Sequence, residues 1–208
     1  MITESEKYIS QHSSPISDTL AWLERQTHLR TNYSRMLSGP EAGRLLETFS
    51  RMMQPSRILE LGTFTGYSSI CLASGLAPGG RLDTIEINDE LEDLIREGFA
   101  RAGLEGSIRL MFGDARAIIP TLDEIYDLVY IDAAKKEYCE YLHLLRDKVR
   151  RGGYIIADNV LWDGKVWSSE RDIQTQSIRA FNDEVIADEA FESFILPVRD
   201  GLNILRRL

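Results

Sequence analysis

The chain passes from an apolar run into a loop with two glycines at Ile58-Leu59-Glu60-Leu61-Gly62-Thr63-Phe64-Thr65-Gly66-Tyr67-Ser68. The apolar run predicts a buried strand over 57–61, and the segment after the second glycine predicts a helix over about 67–75. Ligands of parallel sheets bind beyond the carboxyl ends of the strands. This stretch therefore predicts an α/β fold with a ligand-binding loop after its first strand.

The same alternation of helix and strand continues on both sides of this stretch. Helices are predicted over 17–28, 40–53, 89–102, 135–149 and 172–187, and Gly152-Gly153 is expected to close the helix 135–149. Strands are predicted over 81–87, 108–112, 127–132 and 154–158, followed by a hairpin of 191–196 and 203–207 around Asp200-Gly201. The hairpin places an antiparallel strand on an otherwise parallel sheet.

The length and the even pattern favour one domain. The 208 residues contain no repeat, low-complexity tract or linker. We expect a helical cap over 1–53 and a ligand-binding core over 54–208.

The composition excludes several classes of partner. A net charge of −9 argues against a nucleic-acid substrate, because phosphate contacts need a basic face. No apolar run is long enough to span a membrane, and 1–10 is too polar for a signal peptide. Cys71 and Cys139 lie in apolar, helix-like segments, which predicts buried, reduced thiols and a cytoplasmic location.

The glycine loop favours a nucleoside that carries a cationic group. Glu86 ends the second strand about twenty residues beyond the loop, where a carboxylate commonly binds ribose hydroxyls. The loop lacks the third glycine that a pyrophosphate needs, so a nicotinamide-dependent oxidoreductase is disfavoured, and Glu60 suits an amino group. Asp114-Ala115 after the third strand suits an adenine amino group. Alternatively, the glycines form only a turn, and Asp114 is only a helix cap.

Oxygen-bearing side chains follow two further strands. Asp132 ends the fourth strand, and Asp158-Asn159 end the fifth. If these strands are neighbours, the three side chains can converge on a hard divalent ion, Mg²⁺ first, with Mn²⁺ or Ca²⁺ as alternatives. The other interpretation is that Asp132 caps the next helix and that Asp158-Asn159 form a turn.

Lys135 follows Asp132 by three residues. Most lysines at a helix start are solvated. A lysine near a divalent ion in a partly dry cleft would instead have a lowered pKa, and it could then accept a proton from a substrate hydroxyl. The spacing alone leaves both possibilities open.

These residues resemble the cation-dependent class I O-methyltransferases, the group of caffeoyl-coenzyme A and catechol O-methyltransferases and their small bacterial relatives. The resemblance runs from about residue 36 to the C-terminus, and its most specific segments are 59–68, 158–164 and 196–202. It implies a Rossmann-like sheet of seven strands in the order 3-2-1-4-5-7-6. Strand seven would be antiparallel, with helices on both faces and added N-terminal helices.

The resemblance also implies the role of each site residue. S-adenosylmethionine would be bound by Ser38, Glu60, Gly62, Thr63, Ser68, Glu86, Asp114, Ala115 and Asp132. Asp132, Asp158 and Asn159 match the metal ligands, and Lys135, beside Asp132, matches the proposed general base. A homodimer is implied as well.

One position departs from the family pattern. Ala134 stands where the family often has a second aspartate, which helps the plant enzymes hold substrate, so a coenzyme A ester is in doubt. We therefore predict transfer of a methyl group to a hydroxyl of a small catechol-like aromatic, with Tyr141 and Trp162 as possible substrate contacts. The alternatives are a non-catalytic S-adenosylmethionine-binding module and a methyltransferase for another substrate class.

Overall fold

The computed structural model describes residues 4–208. Its α-helices are α1 Glu4–Gln11, α2 Asp18–Arg30, α3 Gly39–Met53, α4 Tyr67–Ala73, α5 Glu92–Ala102, α6 Ala115–Ile118, α7 Tyr138–Leu145 and α8 Ile173–Ala187. The strands are β1 Arg57–Leu61, β2 Arg81–Glu86, β3 Ile108–Phe112, β4 Tyr126–Ile131, β5 Val149–Asp158, β6 Phe191–Leu196 and β7 Leu202–Arg207. Short 3₁₀ segments lie at 34–36, 89–91, 119–121, 135–137 and 162–167.

The strands form one sheet in the order β3-β2-β1-β4-β5-β7-β6, and β7 is antiparallel to both of its neighbours. This order and the hairpin confirm the predicted fold. The registers pair Leu61 with Ile131, and Ile131 with Ala157. The carboxyl ends of β1, β4 and β5 therefore lie side by side, and the residues that follow them meet at one edge of the sheet.

Apolar side chains cover both faces of the sheet. One face packs against α2 to α5 through residues such as Leu23, Leu46 and Phe99, and the other packs against α7 and α8 through Leu142 and Phe181. Within β1 the side chains alternate, so that Ile58 belongs to the first cluster while Leu59 and Leu61 belong to the second. Burial on both faces explains why the central strands are almost continuously apolar.

The segment after β4 differs from the prediction. The expected helix 135–149 consists of a 3₁₀ turn at 135–137 and α7, and α7 ends at Leu145. Gly152 and Gly153 lie inside β5, which begins at Val149 because that residue pairs with Tyr126. The register shifts just after this pair, so the glycines accompany a bulge and do not end a helix.

Smaller differences concern short or polar segments. The sequence pattern did not predict α1 or the four-residue α6. Cys71 is buried as predicted, whereas Cys139 is half-buried, so the prediction was wrong for this second thiol. Among residues 4–208, no helix combines the length and the apolar character needed to cross a membrane.

Candidate functional site

A cavity of about 680 Å³ opens at the carboxyl edge of the sheet. Its volume is within the range of small-molecule sites, about 300–1,000 Å³. Loops after β1 to β5 form its wall, together with residues 35–38 and Arg199-Asp200. The wall includes most of the predicted site residues: Ser38, Gly62, Thr63, Ser68, Glu86, Asp114, Ala115, Asp132, Lys135, Tyr141, Asp158, Asn159 and Trp162. The structure therefore brings together every predicted site residue except Glu60.

Gly62 lets the first loop pass directly over the end of β4. It has a φ of +92°, and a Cβ atom there would lie 2.1 Å from the backbone oxygen of Asp132. Gly62 N donates a hydrogen bond to Ile85 O at 3.0 Å, and Asp132 N donates one to Leu61 O at 2.9 Å. The loop and Asp132 are thus held next to each other, which only a glycine at this position permits.

Glu86 supports the same loop from β2. Its buried carboxylate accepts hydrogen bonds from Phe64 N at 2.6 Å and from Asn88 N at 2.9 Å. Phe64 has a φ of +49°, a conformation that few side chains adopt without such support. Each carboxylate oxygen can accept a second hydrogen bond, so Glu86 can hold the loop and also accept from ligand hydroxyls.

Glu60 is the predicted residue that the structure does not place on the cavity wall. Its side chain is fully buried, and its Oε2 accepts hydrogen bonds from Ser69 and, at 2.7 Å, from Thr84 Oγ1. Burial, opposed by hydrogen bonds from Ser68, Ser69 and Thr84, raises the pKa of Glu60 to about 7. The alternation in β1 turns this carboxylate toward α4 and away from the cavity wall.

Glu60 is nevertheless linked to the wall. Thr84 Oγ1 lies 2.5 Å from Thr63 Oγ1, and Thr63 lines the cavity. A hydrogen-bonded path of two side chains therefore connects the buried carboxyl group to the glycine loop.

The predicted metal ligands lie on the adjacent ends of β4 and β5. Asp158 Oδ2 accepts a hydrogen bond from Tyr130 OH at 2.6 Å, and its Oδ1 accepts one from Asn159 N at 2.7 Å. Burial and the nearby negative charge of Asp132 raise the pKa of Asp158 above its ordinary value. A bound cation would relieve this repulsion between the two carboxylates.

The donor set fits a hard cation with few protein ligands. In the part of the chain that the structure describes, no three His, Cys, Asp or Glu side chains are grouped to hold a metal ion. A cation at this edge would therefore need the amide oxygen of Asn159 beside the carboxylates of Asp132 and Asp158. Oxygen donors of this kind suit Mg²⁺, Mn²⁺ or Ca²⁺.

Lys135 lies between these carboxylates and the next helix. Its Nζ donates hydrogen bonds to Asp132 Oδ1 and to Tyr138 OH, both at 2.7 Å. Burial lowers the pKa of Lys135, but the charge of Asp132 and the contact with Tyr138 outweigh it and raise the pKa above its ordinary value. The ion pair with Asp132 thus favours the charged lysine, and the lowered pKa expected beside a divalent ion stays a prediction.

Tyr138 has no predicted role, yet it holds Lys135 in place. Its hydroxyl lies 3.0 Å from Asp158 O and 3.2 Å from Ile131 O, and Lys135 Nζ lies 4.9 Å from its ring centroid. The spacing of three residues from Lys135 would place both side chains on one face of a helical turn. That spacing was the signal in the sequence.

The remaining predicted residues contribute to the rim. Asp114 caps α6 by accepting a hydrogen bond from Arg116 N at 2.9 Å, and its side-chain pairing with Arg116 lowers the pKa of this carboxyl group. The helix-cap interpretation is thus confirmed, although Asp114 also lines the cavity. Tyr141 OH donates to Glu137 Oε2 at 2.6 Å, and Trp162 Nε1 is buried without a partner within residues 4–208.

Comparison with known sequences gives a consistent result. The model of the O-methyltransferase family matches residues 10–208. The catechol O-methyltransferase of Niastella koreensis is 36% identical over 162 residues, covering 76% of this chain and 73% of its own. The caffeoyl-CoA O-methyltransferase 1 of Arabidopsis thaliana is 30% identical, covering 88% of this chain and 76% of its own.

Two solved structures of similar fold each contain S-adenosylmethionine or its product. The O-methyltransferase from Bacillus cereus in complex with S-adenosylhomocysteine (SAH) has a TM-score of 0.92 and 28% identity, covering 100% of this chain and 98% of its own. The O-methyltransferase TomG from Streptomyces achromogenes in complex with S-adenosylmethionine has a TM-score of 0.91 and 27% identity, with coverages of 99% and 96%. The chain therefore belongs to the O-methyltransferase family, whose members transfer a methyl group from S-adenosylmethionine to an oxygen atom.

Proposed function

We propose that this enzyme methylates one hydroxyl of a small aromatic compound with two adjacent hydroxyls, and that it requires a divalent cation, Mg²⁺ in the first place. The observation that carries the proposal is the grouping of Asp132, Asp158 and Asn159 around the Lys135 ion pair on the cavity wall. When bound, such a cation lowers the pKa of a hydroxyl that it contacts, as it does for water.

Lys135 is the proposed general base. While Asp132 is its counter-charge, the ammonium form is favoured and cannot accept a proton. A cation bound by Asp132 would compete with Lys135 for this carboxylate. The ion pair would then be weaker, and the pKa of Lys135 would be lower. Tyr138 would still hold Nζ in position by its hydrogen bond. Lys135 could therefore take the proton from the substrate hydroxyl without a large movement.

The cofactor-binding roles follow the cavity wall. Gly62, Thr63, Ser68 and Asp132 would surround the methionine part, Glu86 the ribose, and Asp114 and Ala115 the adenine, with Ser38 closing over the ligand. Glu60 would act through Thr84 and Thr63 without touching the ligand. Positioning both reactants in one cavity is worth roughly 7–11 kcal/mol in favourable cases.

The preference for a small catechol rests on two observations. The relatives include a catechol O-methyltransferase and several caffeoyl-CoA O-methyltransferases. Ala134 lines the cavity where an aspartate would provide a further polar contact for a larger ester. Tyr141 and Trp162 would then form an aromatic wall against the ring of the acceptor.

The test is transfer of a labelled methyl group to 3,4-dihydroxybenzoate with Mg²⁺ and with EDTA. We expect transfer with Mg²⁺ and its loss with EDTA. The variant Asp158→Asn should also lose the response to Mg²⁺, while its amide can still accept the hydrogen bond of Tyr130. The matched control Asp147→Asn lies at the other edge of the sheet, where the side chain is 91% exposed, and should respond to Mg²⁺ normally.

Three outcomes separate the parts of the proposal. If transfer is equal with EDTA, the proposed need for a cation is wrong, while the proposed substrate class stands. If only phenols with a single hydroxyl are methylated, the proposed substrate class is wrong. Loss of SAH binding in Asp158→Asn would mean that Asp158 belongs to the cofactor site.

The assembly is a further part of the proposal. We expect a single domain over 1–208 and a cytoplasmic location, as the sequence predicts, and a homodimer, as the resemblance implies. Sedimentation of the purified protein at two concentrations would test the dimer.

A further inference from the structure

In the described part of the chain, three basic residues on the cavity wall have no acidic partner. Its basic residues are Arg35, Arg116, Lys135, Lys136 and Arg199. Arg116 is paired with Asp114, and Lys135 with Asp132. Within residues 4–208, no ion pair or side-chain hydrogen bond engages the other three. The wall also carries six carboxylates, so these three cations are separate charged groups that could each meet an anionic ligand.

Arg199 is the most unusual of the three. Its φ is +51°, in the left-handed region where glycine is favoured and an arginine is strained. Backbone strain of this kind is concentrated at functional sites. Within residues 4–208, no hydrogen bond or ion pair of this side chain stabilises the turn, so polar contacts inside the fold do not account for an arginine at this position.

The position of Arg199 relates it to the acceptor. The turn that carries it is fixed to the loop after β5 by hydrogen bonds from Val160 N to Gly201 O at 3.1 Å and from Leu161 N to Asp200 O at 2.9 Å. That loop begins at Asn159, a proposed ligand of the cation. Arg199 therefore lies at the acceptor end of the cavity, away from the strand ends of β2 and β3 that would bind the nucleoside.

The guanidinium group also reaches across to the opposite rim. Arg199 Nη1 is 3.4 Å from the position that a Cβ of Gly39 would occupy, next to Ser38 on the wall. Arg35 lies on the same segment, four residues before Gly39. The two arginines thus line the cavity from two separate parts of the chain. A planar guanidinium suits two-point binding of a carboxylate or phosphate.

We propose that Arg199, with Arg35, selects acceptors that carry an anionic group on or near the dihydroxy ring. The proposal rests on the proposed function and names the substrate class within it. Arg199 is a specificity residue in this scheme: it contacts the substituent of the acceptor and takes no part in the transfer of the methyl group. The contact is made before the transfer, so its loss should raise KM more than it lowers kcat.

The experiment compares matched acceptors: 3,4-dihydroxybenzoate, its methyl ester, and the coenzyme A thioester of 3,4-dihydroxycinnamate. We expect kcat/KM for the carboxylate to exceed that for the ester at least tenfold in the natural enzyme. Arg199→Gln should reduce this ratio about tenfold, chiefly through KM. The control Arg151→Gln removes the same charge from an exposed position at the opposite edge of the sheet, and should leave the ratio unchanged.

Each outcome decides one statement. An unchanged ratio in Arg199→Gln would overturn the inference and leave the proposed function intact. If Arg199→Gln lowers kcat/KM only for the thioester, the anion that Arg199 binds is a phosphate of such esters. Arg199 would then still be a specificity residue. If no acceptor is methylated, the proposed function fails. Calorimetric binding of 3,4-dihydroxybenzoate by the natural enzyme but not by Arg199→Gln would then still support anion recognition, and equal binding would overturn it.

Discussion

At the scale of single residues, Glu60 makes stability depend on pH. Its pKa rises from an ordinary 4.5 to about 7 in the folded protein, chiefly because of burial. Between these values the folded state holds a proton that the unfolded state releases, so the free energy of unfolding falls as the pH rises. Full ionisation of Glu60 would cost about 3 kcal/mol.

We therefore expect Glu60→Gln to remove most of this pH dependence in the absence of ligands. Between pH 5 and pH 8, the free energy of unfolding of the natural protein should fall by up to about 3 kcal/mol more than that of the variant. Urea denaturation of both proteins at the two pH values measures the difference. Parallel pH profiles would show that Glu60 titrates normally in the folded protein.

Tyr138 allows a positioning role to be separated from a purely structural one. Tyr138→Phe removes the hydroxyl that accepts the hydrogen bond of Lys135, and should lower kcat roughly tenfold because the proposed base is no longer held in place. Tyr126→Phe is the matched control: its hydroxyl donates to the buried Asp83 at 2.9 Å, away from the cavity. Both variants should lose about 1–2 kcal/mol of stability.

Activity and thermal denaturation of the two tyrosine variants give the comparison. Only Tyr138→Phe should be slower at a temperature where both variants remain folded. Equal activity of the two would mean that Lys135 does not depend on Tyr138, or does not act as the base.

The candidate site was predictable where a strand ends in a polar side chain. Asp132, Asp158 and Glu86 were predicted in this way, because the carboxyl ends of parallel strands lie at the same edge of the sheet. Glu60 was misplaced since the direction of a side chain at the end of a strand depends on the pleat. The ion pair of Lys135 with Asp132 was not predictable, because spacing along the chain does not determine which oxygen Nζ contacts.

At the scale of elements, Gly62 in the turn between β1 and α4 and Gly79 in the loop before β2 give a controlled comparison. Gly62→Ala would place a Cβ 2.1 Å from Asp132 O, whereas Gly79→Ala at a similar φ of +76° would meet nothing within 4 Å. We expect a loss of about 1 kcal/mol for Gly79→Ala, and about 2–4 kcal/mol for Gly62→Ala because overpacking adds to the backbone cost.

The two glycine variants should also differ in ligand binding. Gly62→Ala must displace the end of β4 or the loop itself, so its affinity for SAH should fall at least tenfold. Gly79→Ala should bind SAH normally. Chemical denaturation and calorimetric titration measure the two effects, and equal affinities would show that the loop tolerates a side chain at residue 62.

Element boundaries were predictable where apolar residues form long runs with clear caps. Asp172 before α8 and Gly103 after α5 are examples of such caps. The start of β5 was missed because Gly152-Gly153 usually end helices, whereas here they accompany the bulge that lets Val149 pair with Tyr126. That pairing joins residues distant in sequence, and local propensity carries no information about it.

At the scale of the whole molecule, the N-terminal helices are coupled to the cavity. Leu20 and Leu23 of α2 are buried in the cluster that also contains residues of α4 and α5. Thr27 Oγ1 donates a hydrogen bond to Thr65 Oγ1 at 2.9 Å, which connects α2 to the glycine loop. The seven-stranded order was predictable from the resemblance, while this contact between α2 and the loop was not, since it depends on how α2 packs.

Because the cavity exists only in the folded chain, ligand binding must stabilise the whole molecule. SAH at a hundred times its Kd should raise the free energy of unfolding by about 2.7 kcal/mol. For a chain of this size, that corresponds to an increase in Tm of about 5–10 °C. Thermal denaturation with and without SAH measures this increase.

Glu86→Gln tests whether the proposed contact between Glu86 and the ribose contributes to this stabilisation. The variant keeps an acceptor for Phe64 N but loses the charge, and a charged hydrogen bond is worth about 1.5–3 kcal/mol. If SAH binds tenfold more weakly, the same SAH concentration should stabilise the variant by only about 1.4 kcal/mol. The matched control Glu192→Gln changes an exposed carboxylate on β6 and should keep the full increase in Tm. An equal increase in all three proteins would show that Glu86 only holds the loop, and the ribose would then need another partner on the cavity wall.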